Sequence, residues 1–280
     1  AEAGLLAAVD AWRRDRLTPR ATFATLASAF IARLEAGTAA HVLPHLPPEL
    51  HAVPRSNVEL QLIPDAVFSG SMNYVGRARD AEGRPLYEAT YELNASLEIS
   101  IPELLELVAH EVVPGHVTTF ALLQHLFVLG RVGFEASVQT MSTRGSTLSE
   151  GIANNAALMA HGVTELADLP DPDLRVAQLL SALQDDAKNQ ASWLTWQERW
   201  PQPEVAAVLR RDCLVSAERA EKLSGPWARH PIMGRMYLPS YRAGTEAVAR
   251  LRRQHPPERV LPALYGCRGL VDVTAVETVL

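Results

Sequence analysis

The chain has 280 residues, of which 48% are hydrophobic and 21% charged, and its formal net charge is −6. This composition suits a globular protein with a large core, and the acidic balance provides neither a basic surface for nucleic acid nor a polybasic membrane patch. Two cysteines are too few for a disulfide framework. With no apolar run of spanning length, we expect a cytoplasmic protein, although a start at Ala1 rather than Met leaves export open.

The N-terminal part, residues 1–57, is predicted to form an amphipathic helical pair and a proline-punctuated connection. Residues 58–98 are predicted to form a small antiparallel sheet. Val58–Ile63 alternates polar and apolar residues, and Tyr87–Leu97 is interpreted as a second strand, with Gly- and Asn-containing turns between them. The helical pair is placed at 2–15 and 22–36.

The remaining part, residues 99–280, has an almost wholly helical pattern and is predicted to carry the active site. The pair Asp185-Asp186, within one of these helices, is interpreted as a solvated face. We expect residues 1–280 to form a single domain that is mainly α with one small antiparallel sheet. The predicted helices are 101–113, 116–129, 146–161, 172–197, 203–222 and 241–254.

The strongest chemical signal lies between Leu104 and His116, where His110-Glu111 and a second histidine stand in an apolar helical run. A His-Glu pair followed by a histidine is how zinc hydrolases obtain two metal ligands and a general base from one element. In the usual motif the histidines are four residues apart and share a helix face. Here they are six apart, about 120° around an ideal helix. A straight helix would therefore separate them.

Pro114 and Gly115 stand between the two histidines and predict a local break. Proline lacks an N–H and clashes with the carbonyl four residues back, while glycine tolerates unusual backbone angles. Such a break would return His116 to the face of His110 and give a kinked, zincin-like metal helix. The alternative is a helix that ends at Val113, with His116 an ordinary polar residue opening the next helix.

A third ligand is predicted at Glu150, a lone carboxylate at the head of an otherwise uncharged helix. The alternative is structural, because Thr147-x-x-Glu150 also fits a capping box and a helix N-terminus favours a carboxylate. Asn154 follows one turn later on the same face. We expect it to orient the carboxylate as a neighbour outside the metal coordination.

Three blocks of sequence resemble a known family. His110-Glu-Val-Val-Pro-Gly-His116 resembles the His-Glu-x-x-Pro-Gly-His-His signature of the bacterial domain of unknown function 885 proteins, which are regarded as zinc peptidases. Ser149–Ala153 is similar to their Glu-Gly-Trp-Ala segment, and Leu238–Glu246 to their Tyr-Lys-x-Gly segment. The strand residues Tyr91–Ser96 resemble the strand before the motif helix. The blocks occur in family order over about residues 85–255.

The chain departs from the family pattern at one position in each block. The second histidine of the terminal pair is Val117, the tryptophan after Glu-Gly is Ile152, and the lysine after the tyrosine is Arg242. The last change keeps the charge but not the geometry. These departures leave the expected metal site intact and affect the expected substrate preference.

The resemblance implies a metal-dependent hydrolase that acts on a peptide or a small amide. His110, His116 and Glu150 would hold Zn²⁺, or Mn²⁺, Fe²⁺ or Co²⁺, which similar ligands also accept. An open fourth position would carry the attacking water. Glu111 would act as the general base that takes the water's proton and returns it to the leaving amine.

The C-terminal block would supply the groups that contact the substrate. Tyr241 would stabilise the tetrahedral intermediate, and Arg242 or Arg235 would bind a substrate carboxylate. The alternatives are an amphipathic tyrosine at a helix start and solvated surface arginines. At the level of the whole protein, the alternative is a non-catalytic helical relative with a structural or absent metal, acting as a binding or assembly module. The pattern does not predict the oligomeric state.

Overall fold

The computed structural model of the protein describes residues 2–66, 68–137 and 141–280. Over these residues the chain is mainly α-helical with one small sheet, as predicted. Among the helices so described, none combines the length and the apolar character that crossing a membrane requires. The elements are α1 (Glu2–Asp15), α2 (Phe23–His41), β1 (Val58–Ile63), β2 (Gly70–Tyr74), β3 (Ala89–Asn94), α3 (Ile101–Glu111), α4 (His116–Val128), α5 (Arg144–Asn154), α6 (Ala156–Ala160), α7 (Pro172–Trp196), α8 (Gln202–Asp212), α9 (Ala217–Lys222), α10 (Leu238–Gln254), α11 (Pro257–Leu264) and α12 (Val273–Val279).

Two of the predicted helices are divided in the structure. The 146–161 helix breaks between α5 and α6, where the Asn155 side-chain amide donates to the Gly151 carbonyl at 2.9 Å. The 203–222 helix breaks between α8 and α9, where Leu214 adopts a positive φ of 54° and Ser216 caps α9. In both places a side chain competes for backbone hydrogen bonds, which hydrophobic periodicity does not register.

The predicted sheet of two antiparallel strands differs from the observed sheet in strand number and direction. β3 lies in the centre, with β1 parallel to one edge of it and β2 antiparallel to the other. The sheet is therefore three-stranded and mixed. An alternating pattern fixes which side chains face the core but not the direction of a strand. β2 was not predicted because Gly70 and Asn73 are residues typical of turns.

The central strand β3 connects the sheet to the helices that carry the motif. Tyr91 and Leu93 are fully buried and share a core cluster with Leu104 and Val108 of α3. The N-terminus of α3 is fixed by Ser100, whose hydroxyl caps the helix. β2, at the edge of the sheet, contacts both α3 and α4. An open strand edge consequently lies beside the motif helices.

Two glycines allow α5 and α10 to cross in close contact. A Cβ atom on Gly244 would lie 2.0 Å from the Thr147 carbonyl oxygen, and one on Gly151 would lie 2.4 Å from the Gly244 carbonyl oxygen. The two backbones therefore touch directly. This crossing sets the position of Glu150, on α5, relative to Tyr241, on α10.

Because the Gly244 site has no room for a methyl group, Gly244→Ala should lower the free energy of unfolding by about 1–3 kcal/mol through overpacking. Urea denaturation of the metal-free protein measures this. The control is Gly4→Ala in α1, where an added Cβ meets nothing within 4 Å. That change should raise stability by roughly 0.5–1 kcal/mol. Equal effects at the two positions would contradict the close crossing.

Candidate metal centre

The helical path is interrupted between the two motif histidines. α3 ends at Glu111 and α4 begins at His116, near the predicted bounds 101–113 and 116–129, so the predicted break separates two helices; a kinked zincin-like helix is not shown. The connection leaves the helical path from Val112, and the Val113–Pro114 peptide bond is cis. A Cβ on Gly115 would lie 1.9 Å from the His110 carbonyl oxygen. Only glycine can pass this close to the end of α3.

The interruption brings His110 and His116 together with Glu150. The imidazole rings meet edge to face with centroids 4.8 Å apart. His110 Nε2 lies 3.4 Å from Glu150 Oε2, and His116 Nε2 lies 3.6 Å from Glu150 Oε1. All three side chains are largely buried. The group could hold a metal ion, since one ligand atom from each residue lies within 4.8 Å of the others.

Two of the separations between candidate ligand atoms suit a tetrahedral ion. Ligands at about 2.1 Å from a tetrahedral zinc ion lie roughly 3.4 Å from one another. The Nε2–Oε separations of 3.4 and 3.6 Å match this value. Glu150 Oε2 is also buried, and apart from the 3.4 Å approach of His110 Nε2 it has no hydrogen-bond donor among the described residues. A buried carboxylate oxygen without a donor is costly, and a cation at this point would satisfy it.

The alternative structural role of Glu150 does not hold. α5 begins at Arg144 and is capped by Thr143, whose side chain accepts from the Ser146 backbone N–H at 3.3 Å. Glu150 therefore stands in the middle of the helix and not in its first turn. Capping does not explain its burial.

The Nδ1 atom of each metal-site histidine has a hydrogen-bond partner. His110 Nδ1 lies 2.7 Å from Asn154 Oδ1, and His116 Nδ1 lies 3.0 Å from Ser149 Oγ. In the tautomer that donates from Nδ1, both Nε2 lone pairs point toward Glu150. Asn154 thus orients a histidine, and the prediction that it orients the carboxylate is wrong. The sequence indicated a role for Ser149 only through its position next to Glu150.

A chain of polar contacts links Asn154 to α7. The Asn154 amide donates to Asp185 Oδ2 at 2.8 Å, and Lys188 Nζ donates to Asp185 Oδ1 at 3.1 Å. Asp185 is 1% exposed, so the interpretation of Asp185-Asp186 as a solvated face is wrong for Asp185. In the sequence, the spacing of three residues between Asp185 and Lys188 on one helix indicates such a pair.

The chain of contacts returns to Glu150 through two tyrosines. Lys188 Nζ lies 3.2 Å from the centroid of the Tyr241 ring. Tyr241 donates to the Tyr237 hydroxyl at 3.0 Å, and Tyr237 donates to Glu150 Oε1 at 2.6 Å. Tyr241 thus lies at the site, and its role in stabilising the intermediate stays a prediction. Tyr237 was not predicted, although its position four residues earlier places it on the same helix face.

The charges around the site favour a cation. Burial by itself would lower the pKa of His110, but its contact with Glu150 and the charge of Glu111 raise that pKa to about 9. Burial would raise the pKa of Glu150, but His116 and His110 hold it well below its usual range. Burial, with the charge of Glu150, raises the pKa values of Tyr237 and Tyr241 well above their usual range. Both phenols therefore stay protonated and can donate.

The metal-site residues open onto a cleft of about 610 Å³. Glu111 borders this cleft together with Tyr237, Tyr241 and His230, a histidine without a predicted role. Residues Gly70–Asn73 of β2 form part of the wall. Apolar side chains provide much of the rest: Phe68, Met72, Phe120, Met141, Trp227 and Met233.

The two arginines predicted to bind substrate lie elsewhere. Arg242 pairs with Asp186 at 3.2 Å and with Glu246. Arg235 places its guanidinium carbon 5.3 Å from the centroid of the Trp196 ring. Neither arginine is among the residues that line the cleft. The structure therefore does not bring them together with the metal-site residues.

Comparison with known proteins adds a fold but no activity. No family model and no curated protein matches the sequence. The resemblance to the domain of unknown function 885 proteins accordingly stays a prediction. A solved structure titled "putative lipoprotein from Colwellia psychrerythraea" superposes with a TM-score of 0.67 at 15% identity, over 92% of this chain and 42% of that one. The chain thus spans less than half of that protein, and the likeness concerns the fold alone.

Since Asn154 holds the His110 ring, Asn154→Ala should weaken zinc binding by about 10–100-fold, the usual effect of losing such a partner. Competition with a chromogenic chelator measures the dissociation constant. Asn155→Ala is the matched control, because Asn155 is buried nearby but contacts the Gly151 carbonyl and Arg252 instead of His110. It should lower stability and leave zinc affinity unchanged. Similar zinc affinities for the two variants would contradict the assignment.

Proposed function

We propose that this protein is a zinc-dependent hydrolase that cleaves peptides or small amides. The observation that carries the proposal is the convergence of His110, His116 and Glu150 at a cleft that Glu111 also borders. The resemblance of the motif blocks to the domain of unknown function 885 proteins supports the same reading. A zincin-like role for the His-Glu segment is part of this proposal.

The openness of the site favours catalysis over a structural metal. Structural zinc sites usually have four protein ligands, whereas catalytic sites have three and leave a position for water or substrate. Among the described residues the candidate group has three members, and it lies on the wall of a large cleft. A non-catalytic relative would have no need of Glu111 in that wall.

The residues around the site fit distinct steps of hydrolysis. Zinc bound there would lower the pKa of a coordinated water to about 7 and polarise the substrate carbonyl. Glu111 would accept the proton of the attacking water and pass it to the leaving nitrogen. The hydroxyl of Tyr241 or Tyr237 would donate to the carbonyl oxygen as it becomes negative. Asn154 and Ser149 would hold the imidazoles in the required orientation.

The edge strand β2 offers a place for an extended peptide. β2 pairs with β3 along one side, and in the described sheet it is one of the two edge strands. Its residues Gly70–Asn73 border the cleft. A peptide backbone that pairs with this edge would run past the metal-site residues as an added strand. This arrangement favours peptides among the possible amide substrates.

Glu111→Gln should keep about one zinc per chain and lower hydrolysis by a factor of about 10²–10⁴, because the base is not itself a ligand. Zinc is measured by elemental analysis, and hydrolysis by mass spectrometry on a pool of short peptides. Chelation should abolish the wild-type activity, and added zinc should restore it.

Glu103→Gln is the control for this substitution. Glu103 lies on the same helix but pairs with Arg13 at 2.9 Å and does not border the cleft. Its variant should retain both zinc and activity. Wild-type protein that binds no divalent transition metal, or a Glu111→Gln variant as active as wild type, would refute the proposed function.

A further inference from the structure

A small chamber of about 70 Å³ adjoins the cleft on the side of Glu111. His110, Glu111 and Tyr241 border both spaces, whereas His116 and Glu150 border the cleft but not the chamber. Arg219, on α9, stands in the chamber wall. A water molecule occupies about 30 Å³ in the liquid, so the chamber has room for a group the size of a carboxylate.

Arg219 differs from three nearby cations: Lys188, which also borders this chamber, and Arg13 and Lys222, which line an adjoining pocket together with Arg219. Arg13 pairs with Glu103 at 2.9 Å, Lys222 with Glu218 at 2.7 Å and Lys188 with Asp185 at 3.1 Å. Within the described chain, by contrast, no carboxylate lies within 4.0 Å of the Arg219 guanidinium; the residue donates to the Ser69 hydroxyl.

A partly buried guanidinium that has one hydroxyl partner retains several unused donors. Arginine carries five N–H groups in a planar fork, which match the two oxygens of a carboxylate. Burial lowers the pKa of Arg219 below its usual value, although the residue remains charged. An anion in the chamber would supply the missing partner. Glu106, which also borders the chamber, instead accepts from the Ser181 hydroxyl at 2.9 Å.

We propose that Arg219 binds the free carboxylate of the residue on the leaving side of the scissile amide. This inference rests on the proposed function and narrows it to substrates that release an amino acid with a free α-carboxylate. In such a substrate the carboxylate is separated from the scissile nitrogen by a single carbon. The group that receives the proton from Glu111 and the group bound by Arg219 must therefore share one small space, as the chamber provides.

The reaction follows directly from this placement. The oxygen of water bonds to the carbonyl carbon and the carbon–nitrogen bond breaks. One proton of the water passes through Glu111 to the nitrogen, so the products are a carboxylic acid and a free amino acid. Phe68 and Trp227 border both cleft and chamber and would contact the side chain of the released residue. An aromatic or large apolar residue at that position fits these walls.

Binding is tested with N-acetyl-L-phenylalanine and its carboxamide, which differ in the charged group alone. Isothermal titration calorimetry is carried out in the Glu111→Gln background, so that the probe is not consumed, before and after zinc addition. We expect the acid to bind roughly 10–100-fold more tightly than the amide, the scale of a charge-assisted pair. Arg219→Gln should remove this preference, and Arg219→Lys should restore part of it.

Lys222→Gln is the matched control, because Lys222 lies on the same helix and already pairs with Glu218. It should keep the preference for the acid. In zinc-loaded protein with Glu111 intact, N-acetyl dipeptides with a free C-terminus should be cleaved faster than their C-terminal amides by a similar factor. Melting curves establish that each variant is folded.

The outcomes separate this inference from the proposed function. A preference for the acid that depends on Arg219, without hydrolysis, would support the carboxylate site and refute the hydrolase. Hydrolysis without such a preference, or a preference that persists in Arg219→Gln, would overturn the role of Arg219. Substrate selection by a free N-terminal amine in place of the carboxylate would also overturn it. If Arg219→Gln does not fold, the affinities of the acid and the amide for protein with Arg219 intact still test the inference. Equal affinities would overturn it.

Discussion

The close passage of Gly115 against the carbonyl of His110 is the constraint on which the candidate site depends. It lets the chain leave α3 and start α4 within four residues, so that two histidines six positions apart face one another. With a side chain at Gly115 the connection could not close in this way. The two imidazoles would then lose the shared position from which they meet Glu150.

The third member of the group depends on contact between distant helices. Glu150 reaches the histidines because α5 lies directly against α10, with glycine backbones touching at the crossing. The same contact brings Tyr237 to Glu150 and leaves Tyr241 next to it. Lys188 and Asp185 then join the tyrosines to Asn154 and His110. His110, His116 and Glu150 are thus each held by a neighbour from a different element, a condition that keeps ligands in a fixed geometry.

Polarity divides the surroundings of the site into two parts. The cleft is lined largely by aromatic and methionine side chains and by the edge strand β2, which suit an extended peptide. The chamber beside it carries charged groups and Arg219, which donates to Ser69 and has no carboxylate partner among the described residues. Under the proposed function, this division would orient a substrate with its apolar chain in the cleft and its anionic end in the chamber.

The sequence by itself determined the chemistry of the candidate site. Motif spacing and composition pointed to His110, His116 and Glu150, although they left open a helix end at Val113 and a capping role for Glu150. It also predicted the helical class and the break at Pro114-Gly115. Tertiary structure alone decided that the sheet is mixed, that Asn154 holds His110 rather than Glu150, and that Arg242 lies away from the cleft. Periodicity reports which face of an element is buried, whereas strand direction, polar partners and the arginine that meets a cavity depend on residues far apart in the chain.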